Sequence, residues 1–357
     1  MRGRGRESGP LRYRAPCKPL SSKSQSRKPV NRGRKPQTRM LQVAYPHVSV
    51  AGSKPLSRRQ LSADGDLRAA TFTYTKGSDM EVIRSKNAGA CYGVQRALDL
   101  ALKASEGDGS AFTLGPLIHN PQVVANLEAR GVLAVKEPEQ ATHGAIIIRS
   151  HGVTPAVRRS VEARGLPVID ATCPHVARAQ KAAATLAEEC GYVVVVGEEG
   201  HPEVEGLVAY AHEAGAQVHV AETAADLPVD LPEHVGVVVQ TTQTRDALDD
   251  VLEGIRARGV AAQVKDTVCT ATRQRQQAAA ELAGQVDAIV VIGGRNSANT
   301  THLAEICAAE CPRTHHIESA AELDPAWFAG CTSVGVTAGA STPDDQIDEV
   351  VQRLERM

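Results

Sequence analysis

No stretch of this chain approaches the ~18 consecutive apolar residues that a membrane-spanning helix needs, so no span is expected. No apolar segment of signal-peptide character stands near the N-terminus either, and a secretory leader is not expected. A G-x-x-x-x-G-K-[ST] run is missing, which argues against a P-loop nucleotide site. The glycine-bearing IGGRNSAN segment lacks the dinucleotide fingerprint, so neither a flavin nor a nicotinamide is indicated. There is no C-x-x-C turn, the usual source of two ligands in a structural zinc site. Acid is almost absent from residues 1–63, where Glu7 stands alone against 16 Lys and Arg.

That last shortage divides the chain. The first 63 residues carry +15, while the remainder holds 24 basic and 40 acidic side chains, or −16. The near-zero total is therefore a basic tail on an acidic body. Residues 1–79 are rich in Arg, Pro, Ser and Gly and show no helical or strand periodicity, a composition that cannot bury enough apolar surface to fold. The expectation is a disordered extension. Three origins compete for it: an upstream start ahead of Met80, a basic arm for nucleic acid, or an organelle transit peptide. The setting read from these features is cytoplasmic and bacterial, with a plastid the alternative if the tail is a transit peptide.

Eight cysteines occur in the 357 residues, at long spacings and without a secretion signal, which favours reduced thiols. Cys190, Cys307 and Cys331 read as small buried hydrophobes. Cys307 and Cys311 stand four apart, but no second ligand pair lies near them.

Cys91, Cys173 and Cys269 differ from these because the chain around them repeats. Each follows a short apolar strand, in EVIRSKNAGAC, LPVIDATC and AQVKDTVC. Twenty-four residues on comes a glycine ending a second strand: Gly115, Gly197, Gly293. Twenty-eight residues on comes a polar side chain: His119, His201, Ser297. At thirty come Pro121, Glu203 and Asn299. Each copy reads strand, cysteine, helix, strand, polar turn, helix, short strand, strand, and repetition of this kind governs the fold. Apolar runs such as YVVVVG are buried on both faces, as in parallel sheets between helices. The expected class is α/β: three units related by pseudo-threefold symmetry, each with a small parallel sheet, around a central site. Their boundaries are read as 80–163, 164–260 and 261–345, followed by a closing helix over 346–357.

In a parallel α/β sheet, ligand residues gather beyond the carboxyl ends of the strands. Here that edge carries the three cysteines, then His119, His201 with Glu203, and Ser297 with Asn299, then His151, Thr241, Thr242 and Ser341. Three thiolates without a fourth suit a [4Fe–4S] cluster that leaves one iron open better than a closed zinc site. The plainer alternative is three buried cysteines repeated by duplication. Imidazoles, hydroxyls and amides near helix N-termini make an anion-binding set of the kind a diphosphate needs. Glu203 is the lone carboxylate of this ring. Thiolates and a bound anion nearby would raise its pKa and fit it to carry a proton; the alternative is a carboxylate that merely favours a helix N-terminus.

Taken in order, CYGVQRA, GPLIHNPQVV, RSHGV, DATCPHV, GHPEVEG, VVQTTQT, DTVCTAT, RNSANT and VTAGAST closely resemble the 4-hydroxy-3-methylbut-2-enyl diphosphate reductase family, LytB type, over about residues 80–345. The resemblance implies a trefoil of three α/β units around one [4Fe–4S] cluster per chain. It implies an oxidoreductase at the last step of non-mevalonate isoprenoid synthesis, which uses two electrons and two protons to remove an allylic hydroxyl as water. The products are isopentenyl and dimethylallyl diphosphates. By motif, Cys91, Cys173 and Cys269 hold the cluster, and Glu203 delivers the proton with Thr241 and His201 placing it. His119, His151, Ser297, Asn299 and Ser341 hold the diphosphate. Electrons come from an external ferredoxin or flavodoxin, and a nucleic-acid partner is not expected.

Two departures stand out. Members usually have Arg-Gly-Phe before the first cysteine, where this chain has Ala88-Gly89-Ala90. Ala298 stands where a second serine is usual, which removes one hydroxyl contact worth about 1.5–3 kcal/mol to a charged ligand. Two other readings compete: a quinolinate synthase-like, cluster-dependent enzyme on another small anion, and a non-catalytic iron–sulfur or zinc protein that binds nucleic acid through its tail.

Overall fold

The computed structural model describes residues 80–106 and 110–357. The expected disorder of residues 1–79, the competing readings of the tail, and Cys17 lie outside these residues. Among the described residues no helix is long and apolar enough to cross a membrane.

Among the described residues twelve strands run in chain order: β1 (Glu81–Arg84), β2 (Ala111–Leu114), β3 (Val132–Val135), β4 (Ala145–Ile148), β5 (Val168–Asp170), β6 (Tyr192–Val196), β7 (Gln217–Ala221), β8 (His234–Val239), β9 (Ala261–Lys265), β10 (Ala288–Ile292), β11 (Thr314–Ile317) and β12 (Ser333–Ala338). Nine α-helices of these residues accompany them: α1 (Tyr92–Ala104), α2 (Pro121–Ala129), α3 (Pro155–Ala163), α4 (Pro174–Cys190), α5 (Pro202–Glu213), α6 (Arg245–Ala257), α7 (Thr270–Ala283), α8 (Ala298–Glu310) and α9 (Asp344–Leu354). The closing helix read at 346–357 is α9.

The strands form three four-stranded sheets, all parallel, with one order: β3-β2-β4-β5, β7-β6-β8-β9 and β11-β10-β12-β1. Strand alternation sorts each sheet into two apolar faces. In the second sheet Val193 and Val195 pack on α4 and α5, while Val194 and Val196 pack on Leu248, Val251 and Ile255 of α6. The third sheet repeats the arrangement: Ile289 and Val291 pack against α7 and α8, Val290 and Ile292 against Ile347, Val350 and Leu354 of α9. In the first sheet Ile147 faces α1 and α2, whereas Ile146 and Ile148 face Val161 of α3. Burial on both sides explains why these strands are unbroken apolar runs.

The sheets are offset by one strand from the sequence copies. The strand that opens each copy pairs into the neighbouring sheet: β5 with β4, β9 with β8, and β1 with β12. By sheet membership, the opening strand of each unit read at 80–163, 164–260 and 261–345 therefore belongs to the lobe before it. The helix that follows the cysteine then packs on the next sheet. Each of Cys91, Cys173 and Cys269 consequently lies at a seam, where the chain leaves one lobe and enters another. The seam bonds are equivalent as well. The cysteine N–H groups donate to the carbonyls of Ala340 (3.1 Å), Ser150 (2.9 Å) and Thr241 (3.1 Å), each just beyond a fourth strand.

Candidate active site

Because the three seams meet, residues far apart in sequence line one cavity. Its walls include Cys91, Cys173 and Cys269, together with His119, His151, His201, Glu203, Thr241, Ser297, Asn299 and Ser341. Every site residue singled out in the sequence is thus brought to the same place. Cys190, Cys307, Cys311 and Cys331 do not line it; Cys307 and Cys311 sit in the core beneath α7 and α8.

The cysteines occupy the N-cap positions of α1, α4 and α7, so three positive helix ends point toward the cavity. All three are half-buried free thiols. Gly93 makes room for two of them. A β-carbon at that position would lie 2.5 Å from the Cys173 sulfur and 3.9 Å from that of Cys91, so both sulfurs approach one point. Thr272, one turn along α7, brings its hydroxyl within 3.1 Å of the Cys269 sulfur, and its N–H donates to the same atom at 3.3 Å. This donor set is soft, has no fourth thiol, and presents an N–H group to the Cys269 sulfur; it fits an iron–sulfur cluster with three protein ligands. Gly93→Ala is expected to keep the fold and to lose most bound iron on purification, measured as iron per chain against the parent protein.

The histidines form a second group. Their ring centroids lie 4.4 Å (His119–His151), 5.4 Å (His119–His201) and 5.6 Å (His151–His201) apart. His201 caps α5, and its Nδ1 accepts the Glu203 N–H at 3.1 Å, so the neutral ring carries its proton on Nε2. Burial, with His119, Arg149 and His302 adding like charge, pushes His201 down to about 4. Burial and neighbouring cations also hold His119 and His151 below the usual histidine range, His151 far below it. The rings are therefore neutral at pH 7, with Arg149 as a fixed cation beside them. Buried atoms without a partner, His119 Nε2, His151 Nδ1 and Asn299 Nδ2, await a ligand. Three crowded imidazoles could also hold a cation. With Arg149 adjacent and Ser297 and Asn299 at the N-terminus of α8, the surroundings favour an anion.

Glu203 is 1% exposed. Its Oε1 accepts the Thr241 N–H at 2.7 Å and its Oε2 accepts the Thr241 hydroxyl at 2.9 Å. Burial raises its pKa to about 7, although both Thr241 bonds pull the other way. The cause differs from the sequence reading, which invoked nearby negative charge.

Four further residues escaped the sequence reading. Asn120 caps α2 through Val123 and donates to the Ser341 carbonyl at 2.9 Å, which steadies that loop. Thr272 and the buried Arg275 line the cavity, whereas Arg149 lines a separate pocket and acts on the histidines through its charge. Thr272 and Arg275 could have been flagged by comparing the copies, since both replace apolar residues.

The family model described as LytB protein matches residues 82–355. The chain belongs to the LytB family. Among curated relatives of this LytB chain, the 4-hydroxy-3-methylbut-2-enyl diphosphate reductase of Geobacter sulfurreducens is 49% identical over 276 residues, covering 77% of this chain and 97% of the relative. The reductase of the same name from Pelobacter propionicus is 49% identical over 275 residues, covering 77% and 98%. A solved structure of (E)-4-hydroxy-3-methyl-but-2-enyl diphosphate reductase, described as the terminal enzyme of the non-mevalonate pathway, is 42% identical. It matches with a TM-score of 0.59 and covers 77% of this chain and 99% of that one. A Plasmodium falciparum structure, 23% identical at a TM-score of 0.69, shares the fold; it covers 76% of this chain and 86% of that one. The LytB architecture is the trefoil of three α/β lobes, and the family is iron–sulfur dependent.

Proposed function

We infer that this LytB protein is a 4-hydroxy-3-methylbut-2-enyl diphosphate reductase. It removes the allylic hydroxyl as water, using two electrons and two protons, and forms isopentenyl and dimethylallyl diphosphates. The observation that carries this reading is the convergence of three seam cysteines, three neutral histidines and a buried, proton-bearing glutamate on one cavity. Relatives at 49% identity, matched over nearly their whole length, support it.

Cys91, Cys173 and Cys269 would hold one [4Fe–4S] cluster per chain. When bound, that group supplies electrons singly and an open iron as Lewis acid. The rest is the work of side chains. His119, His151, Ser297, Asn299 and Ser341 receive the diphosphate, assisted by the N–H groups that open α8. Arg149 adds a fixed positive charge behind the histidines. Glu203, held by Thr241 with His201 alongside, carries a proton at neutral pH and delivers it to the departing hydroxyl, which leaves far more readily as water. Close walls such as Val94, Val176 and Ala298 limit water around the carbon chain. Electrons arrive from an outside donor such as ferredoxin or flavodoxin. The half-buried setting of all three cysteines supports this, as does Tyr92, 72% exposed next to Cys91.

The test is anaerobic turnover of 4-hydroxy-3-methylbut-2-enyl diphosphate by the iron-loaded full chain with a reduced viologen. Formation of both five-carbon diphosphates is expected. Iron-loaded protein that leaves the substrate unchanged would refute the assignment.

A further inference from the structure

Besides Thr272, the third copy of the repeat breaks with the other two at a second inward-facing position. Six residues after the cysteine, the first copies bury Ala97 and Ala179 completely. The third places Arg275 there, 4% exposed and lining the cavity with the three cysteines. Its Nη2 donates to the Gly89 carbonyl at 2.7 Å and its Nη1 to the Ala271 carbonyl at 3.3 Å, while Nε has no partner. Ala271 lies in the first turn of the same helix α7, which Cys269 caps, whereas Gly89 stands two residues before Cys91, so the guanidinium ties the start of α7 to the Cys91 loop across two seams. The contrast with Arg84, Arg158 and Arg295 is plain, because each of those meets a carboxylate. Arg275 makes no such ion pair among the described residues; burial works against its charge, and the Cys91 and Cys269 thiolates favour it. A buried cation without a counter-ion is costly. Among the described residues no carboxylate is paired with this cation.

We propose that Arg275 is the counter-ion of the cluster, a fixed charge that favours the reduced state while it ties α7 to the Cys91 loop. A doubly positive [4Fe–4S] core on three thiolates carries a net charge of −1, and one-electron reduction makes it −2. A nearby cation gains more attraction from the reduced form, so the midpoint potential rises. Net charge and hydrogen bonding are the levers by which a protein sets such potentials. Arg275 is thus a positioning and tuning residue rather than one that touches the reacting carbon. The inference rests on the proposed function.

The experiment is redox titration of the reconstituted full chain, following the cluster by electron paramagnetic resonance, for the parent, Arg275→Gln and Arg275→Lys. Arg275→Gln is expected to disfavour reduction at least tenfold, a midpoint about 59 mV more negative for a one-electron couple. Arg275→Lys, which keeps the charge but not the two-carbonyl fork, should stay close to the parent. An unchanged midpoint in Arg275→Gln overturns the proposal, as does an equal fall in both variants. A raised KM for substrate at constant midpoint also overturns it, since Arg275 would then serve the diphosphate. If Arg275→Gln fails to hold iron, retention of the cluster at the parent midpoint by Arg275→Lys supports the proposal. Loss in both leaves only a mechanical brace and rejects it. A parent protein that takes up no cluster would instead sink the functional reading.

Discussion

Glu203→Gln is expected to retain its iron and sulfide and to lose turnover by about 10²- to 10⁴-fold. Glutamine keeps the shape of the side chain. Its amide oxygen can accept the Thr241 N–H that Oε1 now accepts at 2.7 Å, and its NH2 can donate to the Thr241 hydroxyl, reversing the 2.9 Å bond. What it cannot do is release a proton. Burial sets Glu203 at about 7, so in the free protein the activity that needs its acid form should decline as pH rises through that value. Stability supplies an independent readout. An unfolded glutamate ionises near 4.5, whereas the native one holds its proton up to about 7. Between these values the native state binds more protons, so stability falls as pH rises, by roughly 3 kcal/mol across the window. Glutamine carries no such penalty. The variant should therefore melt above the parent at pH 8, with the difference shrinking toward pH 4.5. Full activity in Glu203→Gln would remove this carboxyl from the chemistry.

Cys173→Ser should reduce bound iron from about four per chain to a small fraction of that after anaerobic purification, and abolish turnover. Cys173 sits where β5 hands over to α4, its N–H tied to Ser150 and its sulfur filling the space that Gly93 leaves open. A serine oxygen reaches less far and is a harder, more basic donor than a thiolate. The same outcome is expected at Cys91 and Cys269. Cys190→Ser is the control. That thiol lies at the end of α4, away from the cavity, so iron content and rate should match the parent. Iron counts that fall equally in the control would point to general damage rather than ligation.

The sequence made the repeat visible because polar residues recur at fixed distances from each cysteine. It therefore foretold that Cys91, Cys173 and Cys269 would share a neighbourhood with His119, His201 and Ser297. Spacing records chain order, however, and not pairing. Nothing in EVIR says that it closes the ring by lying beside SVGVTA, since either flank of a small parallel sheet satisfies a strand with that pattern. The offset matters for function, because it puts the cysteines between lobes rather than within them. Its place in the repeat singles out Glu203, but the reason for its raised pKa lies in the folded surroundings. The expected cause was negative charge, and the observed one is enclosure by its own surroundings. Arg275 was overlooked because an arginine in TRQRQQ reads as solvent-facing until its equivalents prove to be Ala97 and Ala179, both fully buried. Arg149 and Asn120 act through loops whose conformations no local pattern encodes.

Mössbauer spectroscopy of full-length protein reconstituted with iron-57, before and after addition of 4-hydroxy-3-methylbut-2-enyl diphosphate, tests most directly whether three sulfurs hold one cluster with an open corner. The expected spectrum resolves one distinct iron among four, and that component alone changes when the substrate is added. Four equivalent irons indifferent to substrate, or a protein that binds zinc in place of a cluster, would contradict it.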